Sequence, residues 1–286
     1  VSRQPGELGQ YDRFVLEVLG KADRDIDFRL YDNDGPDDQP DSGDDDGIVD
    51  YLFIVLNSVP SGFILGGATG VAGFGFDDDF VTGDIGATGE AIRIGGGGHR
   101  GTLLSGKTFE QTIGAMCHEF GHALGLPDLY DLDKPDSESN SAGIGAWGLM
   151  GRGSNGWTGN DGPLPFGAYS RERLGWLGPE GESVIDVAGD TTGLMLRHLD
   201  LGGALVRVPL LSTVSPSGLV YEEYLLLEQR QRRGSHYERN LPGEGVLIWH
   251  VRPQVPNNND EMIKQVDIVS ADGLYVDRGY PGGQAD

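Results

Sequence analysis

Cysteine is almost absent from this sequence: Cys117 is the single one among 286 residues. A lone cysteine forms no internal disulfide, which excludes the small domains that depend on cross-links. A chain of this length can bury an adequate core without them, as one large domain or as two packed lobes.

Long hydrophobic runs are also missing. No stretch approaches the roughly 20 apolar residues of a membrane helix. The first residues, VSRQPGELGQYDRF, have neither the basic n-region nor the apolar h-region of a signal peptide. We therefore expect a soluble, processed chain with no membrane insertion.

Positive charge is scarce, with 21 Lys and Arg against 45 Asp and Glu and a formal net charge of -24. Such a chain repels a phosphate backbone or an anionic membrane surface, so we expect no nucleic-acid partner. Cations are the favoured partners, although most of the carboxylates are explained by a solvated surface.

Hydrophobic periodicity predicts an α+β chain. Helical spacing covers residues 7–22, and the following DIDFRL alternates as a strand does. YLFIVL and EAIRI have the length of short strands, and from about residue 183 the chain becomes β-rich, with ALVRVPLL, EYLLLEQR and GVLIWHV as further strands.

The strongest helix signal lies in TFEQTIGAMCHEFGHAL, residues 108–124. Its apolar residues recur at spacings of three and four, at Ile113, Met116, Phe120 and Leu124. Gly125 and Pro127 predict its end.

Two histidines of this helix, His118 and His122, are four positions apart, so they lie on nearly the same face and can bind one ion. Glu119 lies beside them. Its carboxylate can hold and deprotonate a zinc-bound water, whose pKa zinc lowers to roughly 7. The alternative is an amphipathic helix with two surface or hydrogen-bonded histidines.

Asp128 is a candidate third ligand. Gly125 can adopt backbone angles closed to other residues, so the chain can leave the helix sharply and return Asp128 toward the metal. His118, His122 and Asp128 would leave a fourth position for water, as a catalytic zinc requires.

A second candidate metal site is the acidic stretch DNDGPDDQPDSGDDDGIVD. Carboxylates this dense repel one another unless a cation gathers them, and their hard oxygen ligands suit calcium. The candidate calcium ligands are Asp32, Asp34, Asp44, Asp46 and Asp50. The alternative is a disordered acidic surface loop.

A glycine-rich segment, GAWGLMGRGSNGW, places Met150 in a tight apolar turn after the helix motif. The order of motif, glycine, aspartate and Met-containing turn resembles the metzincin clan of metallopeptidases. Within that clan the chain is similar to the immune inhibitor A-like M6 family. The resemblance rests on HEFGHALGLPDLYD, WGLMGRGSNGW, RERLGWL, YDNDG with DDDGIVDYLFIV, and EYLLLEQRQRRGSHYERNLPGEGVLIWHV.

This resemblance implies a secreted, zinc-dependent endopeptidase of proteins or peptides, made with a propeptide. It implies a zincin or metzincin-like catalytic domain with an active-site helix and a Met-turn. That single domain would span residues 1–286, with an upper lobe of about 1–125 and a lower lobe of about 126–286. The resemblance also favours calcium in the acidic stretch.

The resemblance also implies roles for individual residues. His118 and His122 would be zinc ligands, Glu119 the general base and Met150 the Met-turn methionine. The third ligand stays open between Asp128, which has the clan's spacing, and a downstream acid, Glu172 or Glu228. The donor to the developing oxyanion stays open between Tyr130 and Tyr169.

Two other functions fit the same residues. The chain could be a calcium-stabilised binding or surface protein with a catalytically silent zinc site, but the intact Glu119 argues against this. It could also be a zinc hydrolase that acts on a carbonyl other than a peptide, and only the family resemblance disfavours that.

Overall fold

The computed structural model describes residues 11–58, 63, 69–95, 100–106, 108–132, 143–177, 184–187, 189–214, 220–260 and 263–271. These residues contain three α-helices and ten β-strands, a mixture compatible with the α+β class. None of the described helices is both long enough and apolar enough to cross a membrane.

The chain divides into two compact units, Val1–Ala123 and Leu124–Asp286. The single catalytic domain with lobes of about 1–125 and 126–286 stays a prediction.

The first unit contains two helices and two small sheets. Its elements are α1 (Tyr11–Ala22), β1 (Leu52–Val55), β2 (Gly70–Ala72), β3 (Phe80–Ile85), β4 (Ala91–Ile94), β5 (Gly101–Leu104) and α2 (Phe109–Ala123). In the three-stranded sheet, β5 lies in the middle, parallel to β1 and antiparallel to β2. The other two strands, β3 and β4, form an antiparallel pair.

The core of this unit forms where α1 meets the sheets. Val15 and Leu19, one turn apart on α1, are buried together with Leu103 of β5. Val71 of β2 packs against the same cluster. Because side chains alternate across a strand, Gly70 and Ala72 occupy the opposite face of β2. β2 and β5 both contact α2, the helix with the histidine motif.

One predicted strand is wrong. The stretch DIDFRL was expected to alternate as a strand, but Phe28–Tyr31 form a 3-10 helix. The side chain of Asp27 accepts a hydrogen bond from Arg29 N at 3.2 Å and also binds the Arg29 guanidinium. An aspartate that caps the backbone in this way favours a helical turn over an extended strand.

The second unit contains one short helix and one five-stranded sheet. Its elements are α3 (Ala168–Leu174), β6 (Val184–Asp186), β7 (Leu205–Val214), β8 (Val220–Arg230), β9 (Gly245–Val251) and β10 (Val266–Ile268). The strand order is β10-β9-β8-β7-β6, with antiparallel neighbours except for the parallel pair of β6 and β7. The β-rich part thus begins close to the predicted residue 183.

The core of the second unit joins this sheet to the segment that follows the motif. Trp249 of β9 is fully buried, and Met150 and Leu129 belong to the same cluster. The residues around Asp128 and the Met150 turn therefore rest on the β-rich core.

Candidate metal centre

Helix α2 begins and ends where the sequence predicts. Thr108 Oγ1 accepts a hydrogen bond from Gln111 N at 3.2 Å, which caps the first turn. The buried residues of the helix are small apart from His118: they are Gly114, Ala115, His118 and Gly121. The predicted apolar face is less buried, and Phe120 is 37% exposed. The helix thus packs closely along the face that carries His118.

His118 and His122 lie one helical turn apart, with ring centroids 5.0 Å from each other and ring planes at 87°. His118 is 7% exposed, whereas His122 is partly buried. A buried imidazole usually has a hydrogen-bond partner or a metal.

Glu119 lies on the side of α2 that faces β2. A Cβ atom at Gly70 would come within 2.7 Å of Glu119 Oε1. The next residue, Phe120, packs edge-on against Tyr51 with ring centroids 4.9 Å apart. The Tyr51 hydroxyl and Thr102 Oγ1 are 2.5 Å apart.

The charge of Glu119 affects the pKa of Tyr51. Burial raises the pKa of the Tyr51 phenol, and the negative charge of Glu119 raises that pKa further, against the hydrogen bond with Thr102. The phenol therefore stays neutral near neutral pH beside the Glu119 carboxylate.

The segment after α2 turns at Gly125, whose φ is +84°, the left-handed region that the sequence analysis predicts for this glycine. The residue after Asp128 is held firmly. Leu129 N donates to Met150 O at 2.9 Å, and Leu129 O accepts from Ile144 N at 2.9 Å. Leu129 O also accepts from Asn258 Nδ2 at 3.0 Å. These bonds fix the backbone that carries Asp128.

Met150 lies in a tight turn, closed by a hydrogen bond from Gly151 N to Gly148 O at 3.0 Å. Its side chain is fully buried in the core of the second unit. Through Met150 O, the turn contacts the chain directly after Asp128.

The three residues expected to hold zinc come together. One ligand atom from each of His118, His122 and Asp128 lies within 4.8 Å of the others. Two imidazole nitrogens and one carboxylate oxygen are the ligand types that zinc accepts.

Glu172, an alternative third ligand, has other partners. Arg207 binds Glu172 Oε1 at 3.0 Å, and the Tyr224 hydroxyl donates to Glu172 Oε2 at 2.8 Å. Burial raises the pKa of Glu172, against these favourable contacts. The side chain thus joins α3 to β7 and β8.

Glu228, the other alternative, belongs to a buried ionic cluster that we name the Arg230 cluster: His198, Glu228, Arg230 and Glu238. Glu228 Oε1 accepts from Arg230 at 3.2 Å and from Trp249 Nε1 at 3.0 Å. Arg230 Nε lies 2.5 Å from Glu238 Oε1, and His198 Nε2 lies 2.7 Å from Glu238 Oε2.

His198, Asp200 and Glu238 also have ligand atoms within 4.8 Å of one another. A cation is disfavoured there for two reasons. His198 Nδ1 accepts from Asp200 N at 3.2 Å, so the proton lies on Nε2, which is 2.7 Å from Glu238 Oε2. The Arg230 guanidinium already supplies the positive charge. Glu238 and Arg230 are remote from His198 in the chain, so the local sequence gives no sign of this cluster.

In the acidic stretch, ligand atoms of Asp32, Asp34 and Asp46 lie within 4.8 Å of one another. We name these three residues the Asp32 cluster. Asp32 is 1% exposed, and its Oδ1 has no hydrogen-bond partner within the described part of the chain. Burial and the charges of Asp45 and Asp46 raise the pKa of Asp32 to about 6.

The other two predicted calcium ligands lie outside this group. Asp50 accepts hydrogen bonds from Asn33 N at 3.2 and 3.3 Å, and the Asp44 carboxylate contacts the Ser42 hydroxyl. Asp45, which is not among the predicted ligands, accepts hydrogen bonds from Gly35 N at 2.9 Å and from Ser42 N at 2.6 Å.

The candidate oxyanion donors differ in their surroundings. Tyr169 is 6% exposed within the core of the second unit. Its hydroxyl accepts from Arg173 at 3.1 Å. Tyr130, two residues after Asp128, is only partly buried.

Comparison with known proteins identifies a protein family. A search of curated proteins found no match to the chain. A family model described as immune inhibitor A peptidase M6, catalytic domain, matches residues 10–178. This range contains the acidic stretch, the histidine motif and the Met150 turn. Because this match covers more than half of the 286 residues, the chain belongs to the M6 peptidase family.

Proposed function

We propose that the chain is a zinc-dependent endopeptidase in which Glu119 is the general base. Membership of a peptidase family supports the reaction class. The observation that carries the zinc assignment is the convergence of His118, His122 and Asp128 to within 4.8 Å, with Glu119 between the two histidines on α2.

The residues present fit zinc. Three protein ligands of this type leave a fourth position open, the pattern of catalytic sites. The left-handed Gly125 and the hydrogen bond from Leu129 N to Met150 O support a metzincin-like path of the chain from the helix to the third ligand. The same bond supports a Met-turn role for Met150.

When bound, zinc would polarise the substrate carbonyl and make an attacking water acidic near neutral pH. Glu119 then accepts a proton from the attacking water and delivers it to the leaving amine. Two groups near Glu119 suit this role. The Tyr51 phenol is neutral and the backbone of β2 carries no charge, so neither repels the Glu119 carboxylate.

Strand β2 is suited to hold a peptide substrate. Within the described residues, β2 pairs only with β5 and forms one edge of its sheet. An exposed edge can add an extended peptide through main-chain hydrogen bonds, which are independent of the peptide's side chains. Since Glu119 lies against the first residue of this strand, a peptide bound there would pass the general base.

We propose that the Asp32 cluster binds calcium. Its support is the oxygen-only ligand set and the buried Asp32 Oδ1, which has no hydrogen-bond partner among the residues that the structure describes. Asp44 and Asp50 would then support the loop through the contacts to Ser42 and Asn33.

An extracellular location, with a propeptide in the precursor, is part of the same proposal. Calcium sites of moderate affinity are filled at extracellular calcium concentrations. The single cysteine is equally compatible with this location, since the chain needs no disulfide.

The main experiment measures hydrolysis of casein and of a quenched fluorescent peptide before and after removal of zinc by a chelator. Hydrolysis should disappear with the metal and return with added zinc. Glu119→Gln should lose roughly 100-fold or more in kcat and keep its zinc, because the carboxylate is not a ligand. Full activity after Glu119→Gln would reject the base assignment.

The rival functions give other results. A binding protein with a silent site would hold zinc and hydrolyse nothing, whereas a non-peptide hydrolase would cleave activated esters but no peptide. For the third ligand, Asp128→Ala is compared with Glu172→Gln and Glu228→Gln by competition with a metal indicator. Only Asp128→Ala should weaken zinc binding, by more than the roughly 100-fold that loss of a supporting residue costs.

A further inference from the structure

Glycine at position 70 has an unusual steric environment. A Cβ atom there would lie 2.7 Å from Oε1, 2.8 Å from Cγ and 3.1 Å from Cδ of Glu119. Its three nearest neighbours would thus all be atoms of one side chain. Glu119 occupies the volume that any larger residue at position 70 would fill.

The backbone does not require glycine at this position. Gly70 pairs with Leu104 in the β2–β5 ladder and has no positive φ angle. The ladder continues before it through the hydrogen bond from Ser105 N to Thr69 O at 2.8 Å. Glycine within a strand weakens the strand, so its presence there indicates a close approach by another group.

The next residue on the same face of β2 is Ala72, since side chains alternate along a strand. The Cβ atom of Ala72 is therefore accommodated on this face. Glycine is needed only at position 70, which Glu119 covers.

We propose that Gly70 is a positioning residue for the general base. The missing side chain at position 70 lets the Glu119 carboxylate lie against the edge strand, where we expect the substrate backbone to bind. This inference rests on the proposed function, because the role of Glu119 as base belongs to that proposal. A larger residue would push the carboxylate away while the ligands His118, His122 and Asp128 stay in place.

The test is Gly70→Ala, with Gly83→Ala as the matched control. Gly83 lies in β3 of the same unit, and among the described residues a Cβ atom there would meet only Asp23 Oδ2, at an ordinary 3.5 Å. Gly70→Ala should lower kcat roughly 100-fold and change KM less than about threefold, with unchanged zinc content. Gly83→Ala should behave as the unmodified chain.

A merely structural role for Gly70 would lower kcat through loss of folded protein or of zinc. The double variant with Glu119→Gln separates the two cases. If Gly70→Ala acts through Glu119, the double variant is no slower than Glu119→Gln alone. The proposal would be overturned if the kcat losses of the two single variants multiplied in the double variant. It would also be overturned if Gly70→Ala kept full kcat.

Crystal structures of the unmodified chain and of Gly70→Ala provide a readout that does not depend on activity. The Glu119 carboxylate should change its rotamer in the variant. An unchanged Glu119 would reject the inference. If the unmodified chain hydrolyses no peptide, the proposed function fails, and this structural comparison still decides whether Gly70 sets the position of Glu119.

Discussion

The Asp32 cluster and the Arg230 cluster each contain a buried carboxylate, but they balance its negative charge in different ways. In the Arg230 cluster, Glu238 contacts Arg230 at 2.5 Å and His198 at 2.7 Å. In the Asp32 cluster, Arg100 contacts Asp46 at 2.7 Å, while Asp32 itself has no ion pair with Arg, Lys or His within the described residues.

The pKa values follow this difference. Glu238 is almost fully buried, yet contacts with His198 and Arg230 lower its pKa, against the effect of burial. The pKa of Asp32 rises to about 6, because burial and neighbouring aspartates act in the same direction. Burial alone therefore does not identify a metal site. A buried carboxylate without an internal cation is the more informative feature.

The largest effect should come from removing the internal cation, with Arg230→Met. Two buried carboxylates, Glu228 and Glu238, would lose their shared counter-charge. Breaking a buried ion pair in this way typically costs about 3–5 kcal/mol of stability. Urea unfolding monitored by tryptophan fluorescence measures this loss.

Arg233→Met is the control for this variant, because Arg233 is exposed on the same stretch of chain. It should change the unfolding free energy by less than about 0.5 kcal/mol. Equal stabilities of the two variants would show that the charges of Glu228 and Glu238 are balanced without Arg230. The contrast between the two clusters would then not hold.

Local patterns predicted several structural features around the candidate site. Helix α2, the left-handed Gly125 and the turn at Met150 each follow from a few neighbouring residues. The approach of Asp128 to His118 and His122 was also predictable, since only a short connection separates them. The strands of the β-rich part were visible as runs of branched and aromatic residues.

Long-range partners could not be predicted. Glu172 and Glu228 remained alternative ligands because nothing in their local sequence shows that Arg207 and Arg230 contact them. The contact between Gly70 and Glu119 joins residues 49 positions apart, and only the packing of α2 on β2 reveals it. The short motif suggested the chemistry that we propose, whereas the fold showed which distant residues lie next to the motif.

Calcium should have the next largest effect. A ligand that binds only the folded state stabilises it by about 2.7 kcal/mol when its concentration is 100 times the Kd. Added calcium should therefore raise the melting temperature of the chain, and Asp32→Asn should abolish the increase. Differential scanning fluorimetry with and without calcium, at constant zinc, checks this.

Asp44→Asn is the control for calcium, because Asp44 contacts Ser42 and lies outside the group of Asp32, Asp34 and Asp46. It should keep most of the calcium response. A calcium response that survives Asp32→Asn would place the ion elsewhere, and the absence of any response in the unmodified chain would contradict the calcium proposal.

The smallest predicted effect is the dependence of metal-free stability on pH. The folded-state pKa of Asp32 is about 6, above the roughly 3.9 of an unfolded aspartate. The folded chain therefore binds this proton more tightly than the unfolded chain. Stability from Asp32 is full below about pH 4 and is lost as the pH rises through about 6. The lowered pKa of Glu238 acts in the opposite direction, since its contribution is lost on acidification.

Urea unfolding of the calcium-free chain at pH 5 and pH 7 would include both contributions and those of other groups. The difference in unfolding free energy between the unmodified chain and Asp32→Asn isolates the contribution of Asp32. The unmodified chain should gain stability relative to Asp32→Asn when the pH falls from 7 to 5, and calcium should suppress this gain because it requires the charged carboxylate. Equal pH responses of the two proteins would mean that Asp32 is already compensated, as Glu238 is, and the contrast between the two clusters would then not hold.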